Sequence, residues 1–207
     1  MDIKESYDSA ATAYAEHLFS ELAQKPLDRH FLNRFAEEVG GRGLVADLGC
    51  GPGHVAKVLH EQGANVCGVD LSPEMVRCAA ELCPGLEFRV GDMRALDFAD
   101  GSLAGIVAFY SIVHFEPPEL DPVMRECRRV LTHGGLMLLA FHVGDETVHV
   151  DDLWGRPVSL DFRFHQPNDV KSTLQSARFR VTESTEREPY EGVEYPSRRC
   201  YLLARAV

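Results

Sequence analysis

The sequence predicts an α/β protein with a doubly wound, parallel central sheet. Two observations lead to this fold class. Between about residues 40 and 143, short apolar runs alternate with amphipathic segments, and three of the runs are closed by an acidic residue at or near their end. Such alternation is typical of βαβ units, whose right-handed crossovers place helices on both faces of the sheet. The 207 residues, 45% of them hydrophobic, suit a single globular domain.

The elements can be assigned in chain order. Residues 6–39 show two helical patterns separated by Pro26, and a flexible glycine-rich segment leads into the first strand at 43–48. The predicted helices that follow are at 54–62, 73–82, 117–130 and 167–177, and the predicted strands are at 65–70, 86–91, 103–110, 136–142, 179–187 and 198–206. Residues 144–166 are rich in acids, histidines and aromatics and have little helical period.

The most informative segment is the glycine turn at 47–53, Asp-Leu-Gly-Cys-Gly-Pro-Gly. Glycines allow positive φ and bring backbone N–H groups close to a ligand, and the next helix adds free amides at its N-terminus. An anion would suit those amides, but the carboxylate of Asp47 opposes one. A ligand that carries an ammonium group fits better.

Two further acids follow strands. Asp70 ends the second strand, where an acid in a βαβ unit reaches ribose hydroxyls, and Asp92 follows the third strand. Together with Asp47 they favour a cationic, ribose-bearing ligand over a dinucleotide. Each acid alone could equally be a helix cap, and Asp70 precedes a Ser-Pro pair that could itself begin a helix.

Composition excludes several function classes. The net charge of −11 disfavours nucleic acid and anionic membranes as partners. The six cysteines form no Cys-x-x-Cys pair or metal-ligand spacing, and they are expected to be reduced thiols. The first residues lack the apolar core of a signal peptide, and no apolar run is long enough to cross a bilayer. The expected location is therefore the cytoplasm.

Four segments together resemble the class I S-adenosylmethionine-dependent methyltransferases of the small-molecule type. They are the turn at 47–53, the segment 68–75 (Gly-Val-Asp-Leu-Ser-Pro-Glu-Met), the segment 91–93 (Gly-Asp-Met), and 128–138 with its Arg-Arg-Val-Leu and Gly-Gly sequences. The resemblance is close over roughly 40–143. It implies a Rossmann-like, seven-stranded sheet, mostly parallel, whose last strand is antiparallel. It also implies one domain with a helical lid (1–40), a cofactor-binding core (43–143), an acceptor-site cap (144–168) and a closing helix and strands (169–207).

The resemblance further implies S-adenosyl-L-methionine as cofactor, S-adenosyl-L-homocysteine as product and a small organic molecule as methyl acceptor. Glycines of the turn would lie against the methionyl group, Asp70 would accept from the ribose, and Asp92 from the adenine amino group. The cofactor-binding residues implied in this way are Tyr14, Asp47, Gly49, Cys50, Gly51, Gly53, Asp70, Leu71, Met75, Gly91, Asp92, Met93 and Phe109. Cys50 is expected to pack rather than to react.

Catalytic candidates follow the fourth strand. His114 is the best candidate for a general base because an unperturbed imidazole titrates near neutral pH, and Tyr110 is a second candidate. A structural role is open for both. The predicted acceptor pocket consists of Tyr110, His114, His142, Trp154, Phe164 and His165, although Trp154 could instead anchor a packed cap. No metal is expected, because the fourth strand lacks the acid pair of metal-dependent relatives.

Two other functions are consistent with the glycine turn. A protein that binds S-adenosylmethionine without transferring its methyl group would carry the same motifs. An NAD-dependent oxidoreductase would more often show Gly-x-Gly-x-x-Gly and would leave Asp92 without a role. The sequence identifies neither the acceptor nor the methylated atom, and it is compatible with a monomer or a homodimer.

Overall fold

The computed structural model describes all 207 residues and confirms the α/β class. The helices are α1 (Ile3–Leu18), α2 (Pro26–Val39), α3 (His54–Glu61), α4 (Pro73–Leu82), α5 (Pro117–Val130) and α6 (Pro167–Ser176). The strands are β1 (Leu44–Leu48), β2 (Asn65–Asp70), β3 (Glu87–Val90), β4 (Leu103–Phe109), β5 (Leu131–His142), β6 (Thr147–Leu153), β7 (Arg156–Arg163), β8 (Phe179–Arg187) and β9 (Arg199–Ala206).

The main sheet has seven strands in the order β3-β2-β1-β4-β5-β9-β8. All neighbouring pairs from β3 to β5 are parallel, and β9 is antiparallel to both β5 and β8. The predicted Rossmann-like sheet with an antiparallel last strand is confirmed. The chain order reverses direction between β1 and β4, and such a switch point opens a crevice at the carboxyl ends of the strands.

Helices cover both faces of this sheet because its central strands are apolar throughout. One face is packed by α2 and α3, which contribute Phe35 and Leu59 to a buried cluster. The opposite face is packed by α5 and α6 through residues such as Met124 and Leu174. The core therefore fixes the sheet rigidly and leaves its carboxyl edge to the loops.

Helix α1 lies across that edge instead of on a face of the sheet. It begins at a capping box in which Asp2 and Glu5 exchange side-chain and backbone hydrogen bonds. Asp8 accepts a hydrogen bond from the Ser72 hydroxyl at 2.6 Å, which joins α1 to the start of α4. Ser6 accepts one from the Ser159 amide at 3.0 Å, which joins α1 to β7. Helix α1 is thus held at two sides.

The segment predicted as a cap contains a two-stranded antiparallel hairpin of β6 and β7, separate from the main sheet. Its apolar residues, among them Val158 and Leu160, pack against Ala10 of α1. The signal for these strands is an alternation of apolar and polar residues around Gly155, a period of two that indicates a half-buried hairpin.

Several predicted boundaries differ from the structure, and two of these differences have a clear structural cause. Strand β4 ends at Phe109, because Tyr110 has a φ of 53° and leaves the extended conformation. Strand β5 begins at Leu131, five residues earlier than predicted, since Leu131 pairs with Leu103 across an irregular register. None of the helices combines the length and the apolar character needed to cross a lipid bilayer.

Candidate active site

A cavity of about 190 Å³ lies at the carboxyl edge of the sheet, between the ends of β1, β2 and β4 and beneath α1. Twelve of the residues singled out in the sequence line it: Tyr14, Gly49, Gly51, Asp70, Leu71, Met75, Gly91, Asp92, Met93, Phe109, Tyr110 and His114. The structure thus brings together most of the predicted cofactor residues and both catalytic candidates. It leaves outside the lining Asp47, Cys50, Gly53, His142, Trp154, Phe164 and His165.

The glycine turn requires glycine where it approaches the loop after β4. Gly49 has a φ of 69°, and a Cβ built on it would lie 2.4 Å from the Cβ of Ser111. Any side chain there would therefore clash with the opposite wall as well as strain the backbone. Gly53 lies outside the cavity, where a Cβ would be 2.9 Å from the ring of Phe88. Its role is to let α3 begin close to the sheet.

Asp70 is held with its carboxylate at the cavity wall. One carboxylate oxygen accepts the Gly51 amide at 2.8 Å and the other accepts the Ser72 amide at 2.9 Å. The cap of α4 is Ser72, which accepts from the Met75 amide, so Asp70 is not the helix cap. Burial raises the pKa of Asp70, and the two amides oppose that rise. Each oxygen keeps a lone pair for a donor in the cavity.

Asp47 and Cys50 do not line the cavity, although the resemblance implied both as cofactor-binding residues. Asp47 is the penultimate residue of β1 and only 1% exposed, and it accepts the Ala56 amide at 3.1 Å in the first turn of α3. Burial raises its pKa to about 7, with the charge of His54 opposing. The Cys50 thiol is likewise buried, and burial raises its pKa. Both residues shape the turn from behind.

Asp92 lies at the rim of the cavity and already has a partner. Arg94, two positions later, donates to both of its oxygens, with the shortest distance 2.6 Å. This hydrogen bond lowers the pKa of Asp92. Arg94 also lines the cavity, which the sequence analysis did not foresee.

Helix α1 contributes aromatic rings to the wall of the cavity. Tyr14 faces the cavity and meets Tyr7 and Trp154 edge to face, with ring centroids 5.9 and 5.7 Å apart. Trp154, in the turn between β6 and β7, stacks on the ring of His17 in α1 and is 40% exposed. It therefore supports α1 from outside, which corrects its placement in the acceptor pocket.

His114 links three elements around the cavity. Its Nδ1 lies 3.0 Å from the Asp161 carbonyl oxygen of β7, and its Nε2 lies 2.7 Å from the Tyr7 hydroxyl of α1. A carbonyl can only accept, so Nδ1 carries the proton and Nε2 accepts from Tyr7. Burial lowers the pKa of His114, which favours this neutral form. Tyr7 is not among the site residues predicted from the sequence.

Tyr110 presents its ring to the cavity but directs its hydroxyl away from it. The hydroxyl donates to Asp28 at 3.0 Å, and the same carboxylate also accepts from Tyr201 at 2.8 Å and Arg187 at 2.8 Å. Asp28 is 0% exposed. The hydroxyl of Tyr110 thus belongs to a buried structural network, and its assignment as a catalytic group is corrected to a wall of the cavity.

The remaining predicted pocket residues form a second layer behind that wall. His142 bonds through Nδ1 to the Ser197 hydroxyl at 2.7 Å and stacks on Phe164 with centroids 5.0 Å apart. Burial and the nearby Arg199 lower the pKa of His142 to about 3, so it is neutral. His165 is buried and donates to the Ile112 carbonyl at 3.2 Å. These residues position the loop that carries His114 and do not line the cavity.

Polar groups that the sequence analysis missed stand near the glycine turn. Glu21 and His54 line the cavity with their side chains 3.4 Å apart. Although burial opposes it, contact with His54 and the charge of Lys25 lower the pKa of Glu21 to about 2. The Nδ1 of His54 and the hydroxyl of Ser111 are buried and have no hydrogen-bond partner. No group of three or more His, Cys, Asp or Glu residues is arranged as metal ligands.

Comparisons with known proteins agree with this geometry. A sequence family described as "Methyltransferase domain" matches residues 45–135, which include the glycine turn, Asp70 and Asp92. A 2-methyl-6-phytyl-1,4-hydroquinone methyltransferase of Synechocystis is 33% identical over 119 residues, covering 55% of this chain and 37% of that protein. A magnesium-protoporphyrin O-methyltransferase of Rhodobacter capsulatus is 30% identical over 128 residues, covering 59% of this chain and 54% of that protein.

The aligned region thus spans between about a third and a half of those two relatives. Among solved structures, a methyltransferase from Methanosarcina mazei superposes with a TM-score of 0.70 at 20% identity, covering 79% of this chain and 92% of that one. That likeness supports the fold. The family match over residues 45–135, the motifs and the sheet order together support a class I S-adenosylmethionine-dependent methyltransferase.

Proposed function

We propose that this protein transfers the methyl group of S-adenosylmethionine to a small organic molecule. The observation that carries the proposal is the Asp70 carboxylate, fixed by the amides of Gly51 and Ser72 at the wall of the cavity. A carboxylate held in this way at the end of β2 is suited to accept hydrogen bonds from the two ribose hydroxyls of an adenosyl group.

The donor set of the cavity fits the rest of that cofactor. Leu71 and Met75 offer apolar surface to the adenine, and Asp92 offers an acceptor for its amino group. At the other end, the glycine turn and Phe109 border a region where Glu21 can pair with an ammonium group and the Ser111 hydroxyl lacks a partner. A positively charged amino-acid end suits this region.

The cofactor supplies an activated methyl group, and the protein's task is to position it. Walls from the glycine turn and from β4 orient the bound molecule, while α1 covers it with Tyr7 and Tyr14 and excludes water. Holding both reactants in place raises their effective concentration, which can account for several kcal/mol of the barrier. A proton acceptor is needed only when the methyl acceptor carries a proton.

The acceptor is proposed to bind at the end of the cavity formed by Ile3, Tyr7, His114 and Phe115. This end is mainly apolar and aromatic, and such walls suit a planar organic molecule. The names of the two relatives above, which act on a hydroquinone and a porphyrin, support an acceptor of that general type.

Calorimetry of the purified protein with S-adenosylmethionine, S-adenosylhomocysteine and NAD tests the cofactor. We expect the first two to bind and NAD not to bind. Asp70→Asn should weaken binding, whereas Asp100→Asn, a matched change at an exposed carboxylate that pairs with Arg129, should not. Failure of the folded protein to bind S-adenosylhomocysteine, or equal binding by both variants, would contradict the proposal.

A further inference from the structure

We infer that the hydrogen-bonded pair of Tyr7 and His114 is a proton acceptor for methyl acceptors that carry an acidic hydroxyl group, such as phenols. This inference rests on the proposed function and names its acceptor class. The two side chains come from α1 and from the loop after β4, and both line the cavity.

The hydrogen bonds of Tyr7 and His114 determine which side chain donates a proton to the other. The Asp161 carbonyl fixes the proton on Nδ1 of His114, so Nε2 presents its lone pair to the Tyr7 hydroxyl 2.7 Å away. The Tyr7 oxygen keeps lone pairs of its own, which can accept a hydrogen bond from a hydroxyl in the cavity. A proton can therefore move from the acceptor to Tyr7 while the proton of Tyr7 moves to His114.

Burial and the charge of Arg163 oppose the imidazolium that this transfer forms on His114, and the hydrogen bond to the Asp161 carbonyl favours it. The Nδ1–H of His114 stays on the Asp161 carbonyl, and its ring lies 5.2 Å from that of Phe162. The charged groups around it are the Asp161 side chain and Arg163 on β7 and Glu116 before α5, and Arg163 contacts both acids, at 3.7 and 3.1 Å. The extra charge is therefore formed among groups that are already paired.

The transfer balances in atoms and electrons. A bond forms between the acceptor oxygen and the methyl carbon. The methyl–sulfur bond breaks, and its electron pair returns to sulfur, which becomes a neutral thioether. The proton released by the acceptor is bound as described, on the Tyr7–His114 pair, until water removes it after α1 opens.

The alternative is a purely structural role, in which the hydrogen bond between Tyr7 and His114 only holds α1 against the loop after β4. That role would affect every methyl acceptor equally. Proton removal would not, because an acceptor that is already acidic needs little help to lose its proton. The acidity of the acceptor therefore separates the two roles.

The test measures transfer from saturating S-adenosylmethionine to para-substituted phenols of increasing acidity: 4-methoxyphenol, phenol, 4-cyanophenol and 4-nitrophenol. Wild type is compared with Tyr7→Phe and His114→Asn. The matched control is Tyr14→Phe, which removes a hydroxyl from the same helix and the same cavity but without a histidine partner. Calorimetry with S-adenosylhomocysteine confirms that each variant still binds the cofactor product.

For the least acidic phenol, we expect Tyr7→Phe and His114→Asn to slow transfer by about 10²-fold, the lower end of the usual contribution of a general base. The loss should shrink steadily toward 4-nitrophenol, while the effect of Tyr14→Phe stays constant across the series. A loss by Tyr7→Phe that is equal for all four phenols would overturn the inference in favour of a latch. So would a wild-type protein that binds S-adenosylhomocysteine but methylates none of the phenols, and in both cases the proposed cofactor would stand.

Discussion

Asp28 lies in α2 and Asp70 at the end of β2, and each accepts hydrogen bonds from more than one donor. Asp28 has all of its strong partners within the protein, two tyrosine hydroxyls and the guanidinium of Arg187. Asp70 has only two backbone amides and faces a cavity. The difference teaches that burial and hydrogen bonding do not identify a site. What matters is whether acceptor capacity is left over on the side that faces open space.

Breaking the satisfied cluster should have the largest effect. Asp28→Ala removes the buried acceptor that two tyrosine hydroxyls share with Arg187, which keeps its contact with Glu194. The free energy of unfolding should fall by about 3–5 kcal/mol, the usual cost of losing one partner of a buried pair. Urea denaturation measures this loss. In Asp28→Ala/Arg187→Ala, the loss should be smaller than the sum of the single changes. If Asp28→Ala unfolded with the same free energy as wild type, the Asp28 cluster would not stabilise the fold.

Asp47 adds a third carboxyl to the comparison; it is buried, and its side chain accepts a single hydrogen bond, from the Ala56 amide. Its pKa is raised to about 7, so the folded state holds a proton more tightly than the unfolded state does. The protonated Asp47 carboxyl therefore stabilises the folded state fully when the pH is below the pKa of the unfolded state. This stabilisation is lost as the pH rises to about 7. The loss is on the order of 4 kcal/mol.

Asp47→Asn cannot titrate, so its free energy of unfolding should fall less than that of wild type between pH 4 and pH 8. Urea denaturation across this range, at constant ionic strength, checks the prediction. Parallel pH profiles for the two proteins would show that the Asp47 carboxyl does not titrate in the folded state over this interval.

The opposite pattern is expected for Asp70. Asp70→Asn replaces one charged acceptor by a donor at the cavity wall and should weaken S-adenosylhomocysteine binding by about 1–3 kcal/mol. The free energy of unfolding without ligand should change less than in Asp28→Ala. Calorimetry and urea denaturation of the same preparations measure both quantities. If the change at Asp28 mainly weakened ligand binding and the change at Asp70 mainly lowered the free energy of unfolding, the roles assigned to these two residues would be wrong.

The smallest effect on stability is expected for Asp92, which is partly exposed and paired with Arg94. Asp92→Asn should change the free energy of unfolding by no more than about 1 kcal/mol. Binding should nevertheless change in selectivity, because a carboxylate favours the adenine amino group over the carbonyl of a deaminated base. The ratio of affinities for S-adenosylhomocysteine and S-inosylhomocysteine should therefore fall in this variant. An unchanged ratio would exclude contact with that amino group.

The sequence was sufficient for the sheet and for much of the cavity, because both depend on local signals. Apolar runs that end in Asp70, or that precede Gly91, place those residues at one edge wherever the strands pair in parallel. It was insufficient for Asp47, which differs from Asp70 only in lying one residue inside its strand, beneath α3. One step along a strand changes which neighbours a side chain meets.

The roles of the tyrosines also depend on distant contacts. Tyr7 meets His114 across 107 positions, and Tyr110 meets Asp28 across 82. Neither spacing follows a local period, so no pattern could reveal that one hydroxyl serves the cavity and the other a buried network. Tyr110 also adopts a φ of 53°, which is unusual for a residue with a large side chain.

The attachment of α1 has a consequence for the order in which a nascent chain assembles. Ser6 is bonded to Ser159, 153 positions later, so this attachment of α1 forms only after the hairpin has been synthesised. Until then its Ala10 face has no apolar surface to cover it. Contacts of such long range form late during folding. A stalled polypeptide that lacks the hairpin would expose the Ala10 face of α1, an apolar surface of the kind that chaperones recognise.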